Sequence, residues 1–273
     1  MPELPEAENI SRALHRALAG RTITKVEVFS PSLRTPLTPL SSAALEGHVI
    51  TSVYRRGRYA IAALDDGRGL MLHFGMSGVV RVESADVPRR KHEHLFLHLD
   101  DGRIFRFEDP RRFGMAECHK LNDQGFPPVL DSLGPEPLTE AFNARQLHAA
   151  LKGRRTPVKV LLMDNAVVTG IGNIYAAEAL FAAGIRPQRP GSSITLKECG
   201  ALVEAVKEIL PRAIAAGGST IADFRNVDGS EGYFARQLLI YGREGEKCTR
   251  CGTAAESVKL GGRSSCYCPK CQK

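Results

Sequence analysis

The chain has 273 residues, 43% of them apolar and 25% charged, with 37 Lys and Arg against 30 Asp and Glu. It is long enough for two modest domains and apolar enough to give each a core, which excludes a fibrous or wholly disordered chain. There is no apolar run of about 18 residues, and the start is acidic and proline-bearing where a secretory signal would be basic and then apolar, so a membrane span and export are not expected. The formal net charge of +7 points to a polyanionic partner.

In chain order, Leu4, Ala7, Ile10, Leu14 and Leu18 recur at helical spacing and Gly20 supplies a stop, so the chain opens with a helix. From Thr22 to about Cys118 the pattern changes to short β-rich runs, with Asp66-Gly67 and Asp101-Gly102 placed between runs as hairpin turns. Within it Leu95, Leu97 and Leu99 alternate with His94, Phe96 and His98, as expected of a half-buried strand. The Pro/Gly-rich stretch Gly125 to Pro137 marks a boundary, after which the periodicity is helical again. Thr156-Pro157 predicts an N-cap followed by proline at the first helical position, and Thr195-Leu-Lys-Glu198 predicts a capping box before Ala201 to Leu210. Residues 217–232 are polar and glycine-bearing and form a candidate binding loop. The expected organisation is a helix plus a β-sandwich or barrel-like domain over 1–125, a linker over 126–137, a helical domain over 138–232 and a cysteine-rich segment over 233–273.

From Gly232 to the end, eight basic residues face three acidic ones, and five of the seven cysteines fall there. Cys248-Thr-Arg-Cys251 and Cys268-Pro-Lys-Cys271 have the spacing of a four-cysteine zinc ribbon, in which each pair sits on a tight turn that aims two thiolates at one point. Two disulfides are the alternative, and the absence of an export signal argues against them. Cys266 is expected to be a spare thiol, and Cys118 and Cys199 small buried hydrophobes.

The opening Met1-Pro-Glu-Leu-Pro-Glu6 also carries chemistry. Methionine before proline is normally removed, which leaves Pro2 as a free secondary amine. Attack of such an amine on the anomeric carbon of a nucleoside gives a charged iminium, an electron sink that eases β-elimination of the 3′ phosphate. An α-amino group titrates near neutrality and the positive end of a helix lowers its pKa, while Glu3 and Glu6 beside it can shuttle protons. On these six residues alone it is equally open that the glutamates only satisfy the helix dipole and the prolines only shape a turn.

Pro2-Glu3-Leu4-Pro5-Glu6 resembles the N-terminus of the formamidopyrimidine-DNA glycosylase family. The resemblance continues through His73-Phe-Gly-Met-Ser-Gly78, Lys91-His92, Asp109-Pro-Arg-Arg-Phe-Gly114, Leu133-Gly-Pro-Glu-Pro137, Leu162-Met-Asp-Asn165, Gly170-Ile-Gly-Asn-Ile-Tyr175, Tyr241-Gly-Arg243 and the cysteine quartet. It implies an α+β multidomain fold: an N-terminal β-sandwich flanked by helices, then a helix-two-turn-helix domain with a zinc finger. It also implies Pro2 as nucleophile, Glu3 as proton donor at the glycosidic bond and Glu6 in support. A base inside a duplex cannot be reached, so the nucleotide must be extruded and the gap filled. Met76, Arg111 and Phe113 match the family's void-filling wedge, in which the apolar side chains replace lost stacking and the arginine hydrogen-bonds the orphaned cytosine. Taken alone, Met76 and Phe113 would be read as core residues, but both lie in glycine-flanked turns, where a large side chain tends to project outwards. The matching backbone-gripping positions are His92, Lys159, Asn173, Tyr241 and Arg263, with Asn173 at a helix start suited to phosphate. Ser219 to Tyr233 corresponds to the loop that closes over the damaged base.

The resemblance implies a bifunctional glycosylase and lyase that removes 8-oxoguanine and formamidopyrimidines from double-stranded DNA, acts on abasic sites by β,δ-elimination and holds one structural zinc. It further implies a monomer in the cytoplasm, associated with the nucleoid. One departure stands out: Arg56-Gly57-Arg58-Tyr59 occupies the place of the family's usual Arg-Gly-Lys-Tyr. Arg58 is the catalytic-site candidate at that lysine position, and its planar guanidinium is bulkier than an ammonium and never neutral. Two other readings are open. An endonuclease VIII-type enzyme for oxidised pyrimidines is opposed by Leu4-Pro5 and the wedge. A damage-binding homologue with weakened turnover has only Arg58 in its support.

Overall fold

The structure is a computed structural model that describes residues 2–37, 40, 45–219 and 234–273. The chain divides into two compact units: Met1–Asp131 together with the described residues 217–219, and Ser132–Ala216 together with Phe234–Lys273. Residues 217–219 therefore group with the first unit, although they follow the helices of the second in sequence and fall within the 138–232 segment read as the helical domain. Among the described residues, no helix is long and apolar enough to cross a membrane.

The first unit opens with α1 (Leu4–Leu18), whose buried face is Leu4, Ala7, Ile10, Leu14 and Leu18. Strands β1 (Ile23–Val28), β2 (Ile50–Arg56), β3 (Tyr59–Leu64), β4 (Arg68–His73), β5 (Val79–Ser84), β6 (Glu93–Leu99), β7 (Arg103–Glu108) and β8 (Met115–Lys120) follow. They form two antiparallel four-stranded sheets, in the orders β1-β6-β7-β5 and β2-β3-β4-β8. Leu70 and Leu72 of one sheet share a core with Leu95, Leu97, Phe105 and Phe107 of the other, and α1 adds Ile10, Leu14 and Leu18. That shared interior makes the unit a β-sandwich flanked by a helix. Helix α1 lies mainly on β2 and β3, and His15 Nδ1 accepts the Val53 amide at 3.0 Å.

The half-buried alternation expected for 94–99 does not hold. All of β6 except His98 is buried, because the second face is also covered. Phe96 packs edge-on against Phe29 with ring centroids 4.8 Å apart, and the Arg106 guanidinium lies 4.7 Å from its centroid. Arg106 is 1% exposed. Its guanidinium donates to the carbonyls of Ser84, Val87 and Pro88 and lies 3.6 Å from the wholly buried Glu93 carboxylate. Glu93 in turn holds Arg90 at 2.8 Å, so the loop that carries Lys91 and His92 is fastened on a buried charge pair.

The second unit contains α2 (Ala144–Leu151), α3 (Val158–Leu162), α4 (Asn173–Ala183) and α5 (Leu196–Ala215), then β9 (Glu256–Leu260) and β10 (Arg263–Tyr267). Asn143 caps α2 by accepting the amides of Arg145 and Gln146. Thr195 and Glu198 form the expected capping box, and α5 runs beyond the predicted Leu210, through Pro211. Helix α3 begins one residue later than expected, with Pro157 as the cap. The Val158 amide donates to Arg189 at 2.7 Å, and Pro157 pairs with Pro190, which holds residue 157 extended. Between α3 and α4, Asp164 O accepts the amides of Val167 and Val168, and a second turn leads to Gly172, the N-cap of α4. The turns are pinned from outside by Gly134 N to Asn165 O at 2.7 Å and Thr169 N to Pro135 O at 3.1 Å, an arrangement that gives the helix-two-turn-helix. Gly261 and Gly262, with φ of 54° and 77°, make the two-residue turn joining β9 and β10, a turn that needs positive φ at both places.

His73 ends β4 with 8% exposure. Burial first, then the charges of Arg58 and Arg34, push it down to about 4 from 6.5, and its Nδ1 accepts the Gly75 amide at 3.2 Å. The folded chain thus resists protonation that the unfolded chain accepts. Stability linked to this group is fully present above about 6.5 and is lost as pH falls towards about 4, by on the order of 3 kcal/mol. His73→Asn keeps an acceptor without that titration. Urea unfolding at pH 7 and at pH 4.5 should show the parent losing more stability than the variant, whereas equal losses would mean that the fold tolerates a charged His73.

Candidate active site and nucleic-acid interface

Pro2 is buried immediately before α1, at its positive end. Glu3, at φ −94° and ψ −170°, is the N-cap and shares a reciprocal capping box with Glu6. Both carboxylates are buried, at 5% and 2% exposure. Glu6 Oε2 accepts the Glu3 amide at 2.9 Å, and its other oxygen accepts the Ser219 amide at 2.7 Å and hydroxyl at 2.9 Å. One carboxylate therefore ties the residue beside Pro2 to the start of the stretch 219–233, whose remainder lies outside the described residues.

The turn between β2 and β3 holds the half-buried Arg58. Arg55 fixes this turn by donating to Glu8 at 2.8 Å and to Gly57 O at 3.0 Å. Burial raises the Glu8 pKa, but Arg55 and Arg12 outweigh it and hold the carboxyl below its ordinary value. Arg58 is close enough to act on His73, whose ring lies 5.0 Å from that of Tyr59.

Met76 and Phe113 are 45% and 47% exposed, so neither is a core residue. Arg111 is exposed as well, with its guanidinium 4.9 Å from the centre of the Phe113 ring. The three sequence-predicted wedge residues thus present two apolar side chains and a stacked cation on the surface of the first unit. His92 stands half-buried in the turn before β6.

In the second unit Lys159 is 1% exposed. Its ammonium donates to Asn173 Oδ1 at 2.7 Å, Ser265 Oγ at 2.7 Å and Ser264 O at 3.1 Å. Lys159 is therefore neither a solvated helix lysine nor an open cation. It joins α3 to the first residue of α4 and to β10, and it orients the Asn173 carboxamide at the helix start. Arg263, at the first position of β10, is exposed. Tyr241 is placed by a residue that the sequence reading missed. The carboxylate of Glu178, 4% exposed on α4, accepts the amides of Leu239, Ile240 and Tyr241 at 2.8 to 2.9 Å.

Cys248, Cys251, Cys268 and Cys271 bring their sulfurs within 4.8 Å of one another, and Cys266 is not among them. The Sγ distances of 3.9 Å for Cys248 to Cys271 and 3.5 Å for Cys251 to Cys268 bracket the roughly 3.8 Å edge of a tetrahedron with Zn–S bonds of about 2.3 Å. Backbone amides of Arg250 and Cys271 point at Cys248 and Cys268 sulfurs at 3.4 Å, the bonding expected of metal-binding turns. A hydrogen bond from Thr253 brings Cys251 down to about 6, while Cys251 pushes Cys271 up to about 12. Crowding of this kind opposes ionisation of all four sulfurs together unless a cation sits among them, and the set fits one structural zinc ion, which would be held by these four sulfurs.

Models of the formamidopyrimidine-DNA glycosylase N-terminal domain, the formamidopyrimidine-DNA glycosylase H2TH domain and the zinc finger found in FPG and IleRS match residues 1–116, 133–225 and 245–273. The chain belongs to the formamidopyrimidine-DNA glycosylase family. Formamidopyrimidine-DNA glycosylases of Laribacter hongkongensis and Alcanivorax borkumensis are 50% and 46% identical to it, with all of both chains covered. Among solved structures, a Lactococcus lactis FPG mutant in complex with a Fapy-dG containing DNA has a TM-score of 0.91 at 35% identity over all of both chains. The MutM (FPG) protein of Thermus thermophilus has a TM-score of 0.87 at 39% identity, over 99% of this chain and 98% of that one. Family membership and the clustered cysteines agree on the finger.

The finger yields a direct test. Cys268→Ser should lose stoichiometric zinc and with it the folded finger, while Cys266→Ser should retain both, as read by metal analysis and thermal unfolding. Release of zinc by Cys266→Ser would overturn the ligand set.

Proposed function

We propose that Pro2, freed by removal of Met1, is the nucleophile with which this chain excises oxidised purines such as 8-oxoguanine and formamidopyrimidines from duplex DNA and then cuts the strand. The family is one of base-excision-repair DNA glycosylases with AP lyase activity, so the reaction class is settled, and the proposal concerns which groups perform it. The observation that carries it is the start of α1: a buried Pro2 at the positive helix end, followed by two buried carboxylates.

In this reading the Pro2 nitrogen attacks C1′ of the extruded nucleotide and its lone pair forms the new C–N bond. The bond from C1′ to the base breaks, and the base leaves with the glycosidic electron pair and a proton. Base loss and opening of the sugar at O4′ together take up two protons: Glu3 delivers one, and the other is the N–H proton that the Pro2 nitrogen gives up on becoming the iminium. The resulting iminium withdraws electrons from C2′, whose proton is removed as the C3′–O bond breaks. A second elimination breaks the C5′–O bond, and water then releases Pro2. Glu6 supports this chemistry by fixing the Glu3 backbone. Met76, Arg111 and Phe113 fill the vacated stack, and His92, Asn173, Tyr241 and Arg263 hold the backbone. Lys159 acts mainly through Asn173, because its own ammonium is enclosed. The protein works as a monomer, in the cytoplasm and associated with the nucleoid.

Base loss needs the Glu3 proton, whereas elimination at a pre-formed abasic site begins after that step. Glu3→Gln should lose excision of 8-oxoguanine by about a hundredfold or more yet keep appreciable cleavage of abasic duplex. Equal loss on both substrates would remove the proton-donor role.

Arg58 keeps the positive charge of the family's lysine, so attraction to phosphate is retained. Its wider fork leaves less room beside the sugar, so Arg58→Lys should raise single-turnover excision by about tenfold, with abasic cleavage and DNA affinity little changed. A slower Arg58→Lys would show that the arginine is an adapted part of this site.

A further inference from the structure

We propose that Asp109 is the positioning residue of the wedge: its buried carboxylate locks the turn that carries Met76 to the turn that carries Arg111 and Phe113. The inference rests on the wedge reading given above. Asp109 is 0% exposed, and both of its carboxylate oxygens are taken by these turns. Oδ1 accepts the Ser77 hydroxyl at 2.5 Å, and Oδ2 accepts the Gly114 amide at 2.7 Å. The Ser77 oxygen also accepts the Arg111 amide at 3.2 Å, so the residue after Met76 bonds directly to the backbone of Arg111. Around the carboxylate, the Asp109 amide donates to His92 O at 2.9 Å and the Arg112 amide donates to Asp109 O at 3.2 Å. His94 Nε2 lies 3.0 Å from Asp109 O. One residue thereby fixes the two wedge turns and the segment that bears His92.

The backbone geometry shows why such a clamp is needed. A Cβ at Gly75, where φ is +56°, would stand 2.5 Å from the Phe113 carbonyl carbon and 2.7 Å from the Gly114 nitrogen. The two turns therefore touch backbone to backbone. Arg112, between Arg111 and Phe113, adopts φ 56°, which is unfavourable for a side chain bearing Cβ. Neither feature is set by local preference, and both are held by the acceptors of Asp109. A side chain that replaces stacking must already be placed when the base leaves, because a misplacement of about 1 Å costs up to a hundredfold in rate.

Asp109→Asn conserves volume but removes the charge and one of the two acceptors: with its oxygen on the Gly114 amide, its nitrogen faces the Ser77 oxygen and the Ser77 hydroxyl proton loses its acceptor. The test is single-turnover excision of 8-oxoguanine from a cytosine-paired duplex and from a bubble in which the lesion is unpaired, with thermal unfolding as a control. Asp109→Asn should be about tenfold or more slower on the paired duplex, with a much smaller deficit on the bubble, where extrusion is largely prepaid. Combined with Phe113→Ala it should be no slower than the slower single variant, since both act through one element. A parental rate for Asp109→Asn beside a slowed Phe113→Ala would overturn the proposal. So would equal deficits on the two substrates, or a multiplicative double variant. Parental rates for Met76→Ala and Phe113→Ala would instead remove the wedge reading, and this proposal with it. If Asp109→Asn does not fold, Ser77→Ala decides by the same comparison: slowing confined to the paired duplex supports the clamp, and a parental rate overturns it.

Discussion

The Glu6 carboxylate accepts the amide of Glu3 with one oxygen and the amide and hydroxyl of Ser219 with the other. At 2% exposure it depends on protein partners, so losing one of them costs a hydrogen bond that water does not readily replace. This constraint reaches further than a helix cap. Pro2 and Glu3 must stand at a fixed distance if an amine and a proton donor are to serve one sugar, and Glu6 sets the backbone on which both are mounted. The same carboxylate anchors residue 219, some 213 positions away, so the ends of the chemistry are joined in one buried hydrogen-bond set.

Two other buried carboxylates follow the same design. Asp109 gathers the Ser77 hydroxyl and the Gly114 amide, and Glu178 gathers three consecutive amides that include Tyr241. In each case a buried carboxylate is satisfied by groups of a loop, and hydrogen bonds to a charged acceptor are about twice as strong as neutral ones. The loops so held carry Met76, Arg111, Phe113 and Tyr241. Rigidity is thus built into irregular segments without lengthening strands or helices, which leaves Met76, Arg111 and Phe113 exposed.

Much of this was legible in the sequence, and the reasons are local. The apolar spacing of α1 reproduces its limits Leu4–Leu18, the Asp66-Gly67 and Asp101-Gly102 turns fall between paired strands, and the Thr195 capping box starts α5. The cysteine quartet is legible because ligand spacing is a property of two short turns. What escaped depends on partners distant in sequence. The second face of β6 looks polar until Arg106 and Phe29 cover it. The α3 start shifts by one residue because Pro157 pairs with Pro190. Glu178 reads as an ordinary helix glutamate, since nothing in its neighbourhood along the chain announces three amides about sixty positions away. Lys159 reads along the chain as a cation open to phosphate, and only its burial and its bonds to Asn173 and Ser265 show that it is enclosed.

The central claim is that the amine beside this helix start performs the chemistry. Its most direct test is to incubate the chain, with its N-terminus verified as Pro2, with 8-oxoguanine duplex and borohydride, and to map the reduced adduct by peptide mass spectrometry. The account predicts one covalent link, on the Pro2 nitrogen, and its complete loss in a form that retains Met1. An adduct on a lysine side chain, or normal trapping by the Met1-retaining form, would contradict it.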